Sequence, residues 1–115
     1  MIRKAAEQRL ERRINTFGGQ GAISVRYLAE EADHGNEKYN MLSRVTVPPG
    51  VSVGRHSHPG KTETLYILAG SCRYQDSEER ILGPGDTAVV RGGDSYQLVS
   101  LGPEDLEYIA VIVLD

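Results

Sequence analysis

From Met41 onward, apolar side chains recur at alternate positions in short runs, and each run ends at glycine, proline or a polar turn. A period of two marks a half-buried strand, because successive side chains on a strand point to opposite faces of its sheet. The runs M-L-S-R-V-T-V (41–47), V-S-V-G-R-H-S-H (51–58), T-L-Y-I-L-A (64–69), S-C-R-Y-Q (71–75), R-I-L (80–82), T-A-V-V (87–90) and S-Y-Q-L-V-S (95–100) are therefore predicted strands. Between them stand turn formers: Pro48, Pro49 and Gly50; Pro59 and Gly60; Gly70; the polar stretch 76–79; G-P-G-D (83–86); and R-G-G-D (91–94). The last run, L-E-Y-I-A-V-I-V-L (106–114), is almost continuously apolar. Upstream, A-I-S-V-R-Y-L (22–28) alternates after a break at Gly18, Gly19 and Gly21, and 29–40 is a predicted polar loop. The first residues mix helix formers at 5–10 with alternation at Leu10, Arg12 and Ile14. They predict a loose turn or short helix leading into an extended arm over 1–16, ahead of a β domain over 17–115. Many short strands separated by tight turns give an all-β sandwich or small barrel.

The length of 115 residues fits one domain, and 39% apolar residues build a small core that pairing with another copy would enlarge. A net charge of −3 and a pI near 5.6 exclude a basic nucleic-acid footprint. No apolar run approaches the roughly 20 residues that cross a bilayer, and the opening M-I-R-K-A-A-E-Q-R-L-E-R-R has no secretory apolar core. A cytoplasmic protein without nucleic-acid or membrane partners is expected. The single cysteine, Cys72, allows no internal disulfide, fits a reducing compartment, and reads as a small packing residue in a strand.

Chemistry concentrates in G-V-S-V-G-R-H-S-H-P-G-K-T-E-T-L-Y-I-L-A-G (50–70), which holds two of the three histidines. At i and i+2, His56 and His58 project from one face, with Ser57 turned away. Glu63 opens the next strand after a short loop, so its carboxylate can return to the same interior. Two imidazoles and one carboxylate form a facial ligand set with open positions. Such a set suits iron, manganese or a similar divalent ion better than a closed structural zinc site. Two hydrogen-bonded histidines without a metal are the plainer alternative.

Gly50, His56, His58, Glu63 and Gly70 resemble the first motif of the cupins, and G-P-G-D-T-A-V-V-R-G-G-D-S-Y (83–96) resembles the start of their second motif. The lead-in G-G-Q-G-A-I-S-V-R-Y-L (18–28) and V-T-V-P-P-G (45–50) are similar to small single-domain, oxalate-decarboxylase-like cupins. The resemblance covers residues 17–114. It implies a double-stranded β-helix, or jelly-roll barrel, usually paired into a homodimer. It also implies one metal ion, with iron or manganese favoured and zinc, nickel or copper as alternatives. The second motif departs from the family pattern: Tyr96 stands where a fourth histidine ligand is usual, Arg91 replaces a proline and Ser100 an asparagine. Tyr96 then has three possible roles. It ligates a metal as phenolate, it stays protonated and donates to a substrate or bound water, or it packs beside a vestigial site.

Other positions qualify the pocket. With Glu63 facing inward, Leu65 and Ile67 follow it, while Thr64, Tyr66 and Leu68 face out and need cover from a second subunit or the N-terminal arm. Arg44 shares a strand face with Thr46, and if that face is inner it clamps a substrate carboxylate. His34 reads as a solvated loop residue, Arg55 as solvent-facing, and Arg91 as a solvated surface residue with the pocket mouth as its alternative. Gln97 turns inward only if a bulge forms near Gly92 and Gly93. The leading reading is a metal-dependent enzyme acting on a small polar or carboxylate-bearing molecule, of oxygenase or decarboxylase type by family resemblance, with Tyr96 and Arg44 as candidate catalytic residues. The alternative is a non-catalytic module that binds or senses a small ligand.

Overall fold

The computed structural model describes residues 1–35 and 38–115, so residues 36 and 37 of the predicted 29–40 loop lie outside the described residues. The strands are β1 (Arg9–Ile14), β2 (Ala22–Ala29), β3 (Tyr39–Val47), β4 (Ser52–His56), β5 (Lys61–Ala69), β6 (Cys72–Gln75), β7 (Glu79–Leu82), β8 (Thr87–Val90), β9 (Tyr96–Ser100) and β10 (Leu106–Leu114). They form two antiparallel sheets, of order β1-β2-β3-β10-β5-β8 and β4-β9-β6-β7, packed face to face as a jelly roll. The predicted runs from 22 onward all become strands.

Period-two alternation decides which residues fill the space between the sheets. On β5, Glu63, Leu65 and Ile67 are buried while Tyr66 and Leu68 are exposed. On β3 the buried set is Ser43, Val45 and Val47, and on β10 it is Leu106, Tyr108, Ala110 and Ile112. Val53 of β4, Cys72 and Tyr74 of β6, and Tyr96 and Leu98 of β9 close the core from the other sheet. Each buried aliphatic or aromatic side chain contributes roughly 1.5–3 kcal/mol of transfer free energy, so this interior is the main source of stability.

Two regions need more than alternation. The N-terminal segment forms a 3-10 turn at Ala5–Glu7, and its extended part becomes β1, the edge strand paired with β2. It therefore lies at the far edge of the sheet from Tyr66 and Leu68, and does not cover them. The predicted 29–40 loop is shorter than expected, because β2 runs to Ala29 and β3 starts at Tyr39, and it carries a short helix, α1 (Glu31–His34). A capping box holds that turn: the Glu30 side chain accepts from the Asp33 backbone, and Asp33 accepts the Glu30 N–H at 2.9 Å. Arg3 then grips Asp33 bidentately at 2.9 and 2.7 Å, tying the first residues to the helix. Among the described residues no helix is long and apolar enough to cross a membrane.

Cys72 lies in the core with no exposed surface, and burial pushes its thiol up to about 11. At pH 8 that shift alone depletes the thiolate about 100-fold relative to an ordinary cysteine. Iodoacetamide should therefore modify the native protein at least about 100-fold more slowly than the urea-unfolded chain at pH 8. Equal rates would show the thiol to be accessible.

Candidate metal centre

β4 runs antiparallel to β9, with Val53 opposite Leu98 and then His56 opposite Tyr96. Three steps on β4 thus match two on β9. This bulge lets Val53 and His56 both face inward despite their odd spacing. The strand ends at His56, two residues sooner than expected, and His58 follows outside it before the Pro59–Gly60 turn. The i, i+2 relation survives, and the two rings meet edge to face with centroids 5.0 Å apart. Glu63, the third residue of β5, is flanked by Val90 of β8 and Ile112 of β10. One ligand atom from each of His56, His58 and Glu63 lies within 4.8 Å of the others.

His56 is fixed in a way that prepares it for a metal. Its Nδ1 lies 2.8 Å from the Gly54 carbonyl oxygen, so Nδ1 carries the proton and Nε2 keeps a free lone pair. Phe17 stacks on one side of the ring at 3.9 Å and 7°, and Tyr96 leans on it at 4.5 Å. Burial holds the imidazoles of both His56 and His58 below the usual histidine range, and for His58 the Lys61 ammonium adds to the effect. Neutral imidazoles are the ligating form. The residues present fit a divalent ion.

Glu63 is 5% exposed, and desolvation raises its carboxyl above the usual range, opposed by a hydrogen bond from Tyr96 and by His56. The Tyr96 hydroxyl donates to Glu63 Oε1 at 2.6 Å, crossing from one sheet to the other. His58 Nε2 stands 3.6 Å from the same oxygen, too far for a hydrogen bond. The Tyr96 phenol is held well above its ordinary range, by burial first and then by Tyr108 and Glu63. Tyr96 thus gives its one proton to Glu63, a partner that the sequence did not point to.

The remaining residues singled out in the sequence lie elsewhere. Arg44 is on the outer face of the six-stranded sheet, half-exposed, where it pairs with Glu107 at 3.1 Å. Its neighbours Val45 and Val47 take the inner face, so Arg44 cannot clamp a ligand in this cavity. His34 stacks on Tyr39 at 4.2 Å, apart from the donor set. Gln97 hydrogen-bonds Gln75 on the four-stranded sheet and does not turn inward. Arg55 is exposed and binds Ser95 Oγ at 3.0 Å, and Arg91 is an exposed turn residue outside the cavity lining.

Three cavity residues had no signal in the sequence. Arg13, Thr16 and Phe17 line the same cavity, of about 60 Å³, as His56, His58, Glu63 and Tyr96. Phe17 takes a left-handed conformation (φ 53°, ψ 34°), rare for an aromatic residue and costing of order 1–3 kcal/mol. What holds it is the close approach of the 16–19 turn to β4. Gly54 lies so near the Phe17 carbonyl that a Cβ there would collide with it. Only glycine at 54 lets Phe17 reach the His56 ring.

In the metal-free protein, the ring protons of His56 and His58 followed by NMR should titrate below 6.5. A lowered folded-state pKa means that the unfolded chain binds more protons between that pKa and 6.5. The neutral imidazoles therefore stabilise the fold above 6.5, and this contribution is lost as pH falls through the lower value. A midpoint at or above 6.5 would contradict the burial described. Tyr96→Phe should cost about 1–3 kcal/mol in thermal or urea unfolding, because it removes the hydrogen bond to a buried carboxylate. An iron-loaded wild type should show no phenolate-to-iron absorption band; an intense visible band lost in Tyr96→Phe would make Tyr96 a ligand.

The comparisons agree with this architecture. Residues 43–112 match the Cupin domain family. The chain is 35% identical to a protein named oxalate-binding protein from Thermotoga maritima, over 99% of this chain and 94% of that one. Among solved structures it is similar to a predicted oxalate decarboxylase from Thermotoga maritima, with a TM-score of 0.92, 34% identity and full coverage of both chains. KdgF from Halomonas sp. shares the fold at a TM-score of 0.77 and 18% identity, over 100% of this chain and 94% of that one. With the family matched over most of its length and a relative above 30% identity along nearly all of it, the chain belongs to the cupin family.

Proposed function

We propose that the chain holds one divalent metal ion on His56, His58 and Glu63 and uses it to bind a small carboxylate-bearing molecule of the oxalate type. The observation that carries this reading is the His56 Nδ1 bond to the Gly54 carbonyl, which turns Nε2 toward His58 and Glu63 as a ready ligand. The similarity to a protein named for oxalate binding supports the ligand class. Iron or manganese suits this mixed nitrogen and oxygen set, and zinc, nickel or copper would also bind it. Once bound, the ion supplies Lewis acidity toward a ligand carboxylate. The protein's own residues orient the donors and hold a proton on Tyr96.

Turnover is the second reading, supported by the open side of the donor set. Against it stands the lining itself. Apart from the metal donors, its ionisable side chains are Arg13, Tyr96 and Tyr108, and burial holds both phenols above their ordinary range. None of these is a free carboxylate or imidazole able to exchange protons near neutral pH. The outer face that carries Tyr66 (46% exposed), Leu68 (37%) and Val89 (56%) is the surface we assign to a second copy of the chain.

Elemental analysis after loading with manganese or iron should give close to one metal per chain, and His56→Ala or Glu63→Ala should lower uptake at least about 10–100-fold. A wild type that stays metal-free under loading would overturn the site. Incubating the loaded protein with oxalate separates the two readings: recovered oxalate supports binding, and formate with carbon dioxide supports turnover. Sedimentation should show a dimer that Tyr66→Lys weakens; a monomeric wild type would reject the assigned face.

A further inference from the structure

The cavity has a second polar wall, opposite in chemistry to the metal donors. Arg13 lies on β1 across from the buried Ile23, so its side chain faces the barrel interior. Its Nε donates to Glu11 Oε1 at 2.8 Å and its Nη2 to the Tyr27 hydroxyl. Nη1 has no hydrogen bond among the described residues. Glu11 is in turn satisfied by Tyr27 at 3.0 Å and by Arg9 at 3.3 Å, so its charge is shared between two arginines. The guanidinium is thus held in place with one end uncommitted. Thr16 lines the same cavity, and its Oγ1 is buried without a hydrogen-bond partner among the described residues.

A buried hydroxyl left unpaired costs about 1–3 kcal/mol, and a guanidinium matches a carboxylate better than any other side chain does. The cavity, of about 60 Å³, has room for only a few water-sized groups, each needing about 10–15 Å³ of such space. A ligand there is short. We propose that Arg13 and Thr16 form an anion subsite facing the metal donors, which makes the preferred ligand a short dicarboxylate whose outer oxygens are read by Arg13 Nη1 and Thr16 Oγ1. This rests on the metal reading above and adds to it the residues that select two carboxylates over one.

The test compares oxalate with oxamate, which has the same shape but carries a neutral amide in place of one carboxylate. Calorimetric titration of manganese-loaded protein should show a preference for oxalate. Arg13→Gln should weaken oxalate binding about tenfold or more, as loss of a charge-assisted hydrogen bond implies, and should leave oxamate nearly unchanged. Arg13 also holds Glu11 and Tyr27, so Thr16→Val is the second variant. It removes no existing hydrogen bond and should weaken oxalate binding about fivefold. Metal content and melting temperature are measured on each protein. A metal-loaded wild type without preference, or variants that keep it, would overturn the subsite while leaving the metal centre standing. A wild type that takes up no metal would overturn both.

Discussion

A carboxylate buried between two sheets has to find partners, and Glu63 sets the terms for everything around it. It sits 5% exposed on β5, between β8 and β10, where desolvation disfavours its charged form. Tyr96 reaches across from the opposite sheet to donate at 2.6 Å, so one polar bond links the two layers of the fold. That bond satisfies part of one oxygen. The nearest histidine nitrogen stays beyond hydrogen-bond distance, at 3.6 Å. The remaining acceptor capacity of Glu63 and the free Nε2 of His56 face a shared space, the one to which we assign the cation.

The orientation of the donors comes from backbone geometry as much as from side chains. The bulge between Val53 and His56 turns the ring inward, and the Gly54 carbonyl fixes its tautomer. The same glycine admits the Phe17 backbone, whose strained conformation places a ring over His56. Strain of this kind persists only where the surroundings over-determine it, here through the contacts of the 16–19 turn with β4. The cavity is lined by these donors and, from the N-terminal segment, by Arg13, Thr16 and Phe17.

Much of this was legible in the sequence, for local reasons. Alternation with glycine and proline turns exposes strands directly, and the spacing of His56, His58 and Glu63 lies within eight consecutive residues. Alternation assigns residues to two faces without naming the inner one, and that is how Arg44 entered the candidate site. The valines at 45 and 47 take the interior because apolar burial outweighs anything Arg44 could gain there. Arg13, Thr16 and Phe17 were invisible because they meet the donors across about forty residues of chain. Moreover, a phenylalanine in a left-handed turn breaks the usual preference for glycine or asparagine. The short α1 was missed because four residues carry no periodicity, and its cap depends on Asp33 and on an arginine thirty positions upstream.

The most direct measurement is pulsed electron paramagnetic resonance on the manganese-loaded protein, which reads nitrogen nuclei bonded to the ion. Two imidazole nitrogen couplings are predicted in the wild type, falling to one in His58→Ala. A manganese signal with no nitrogen coupling would place the ion away from His56 and His58 and contradict the account.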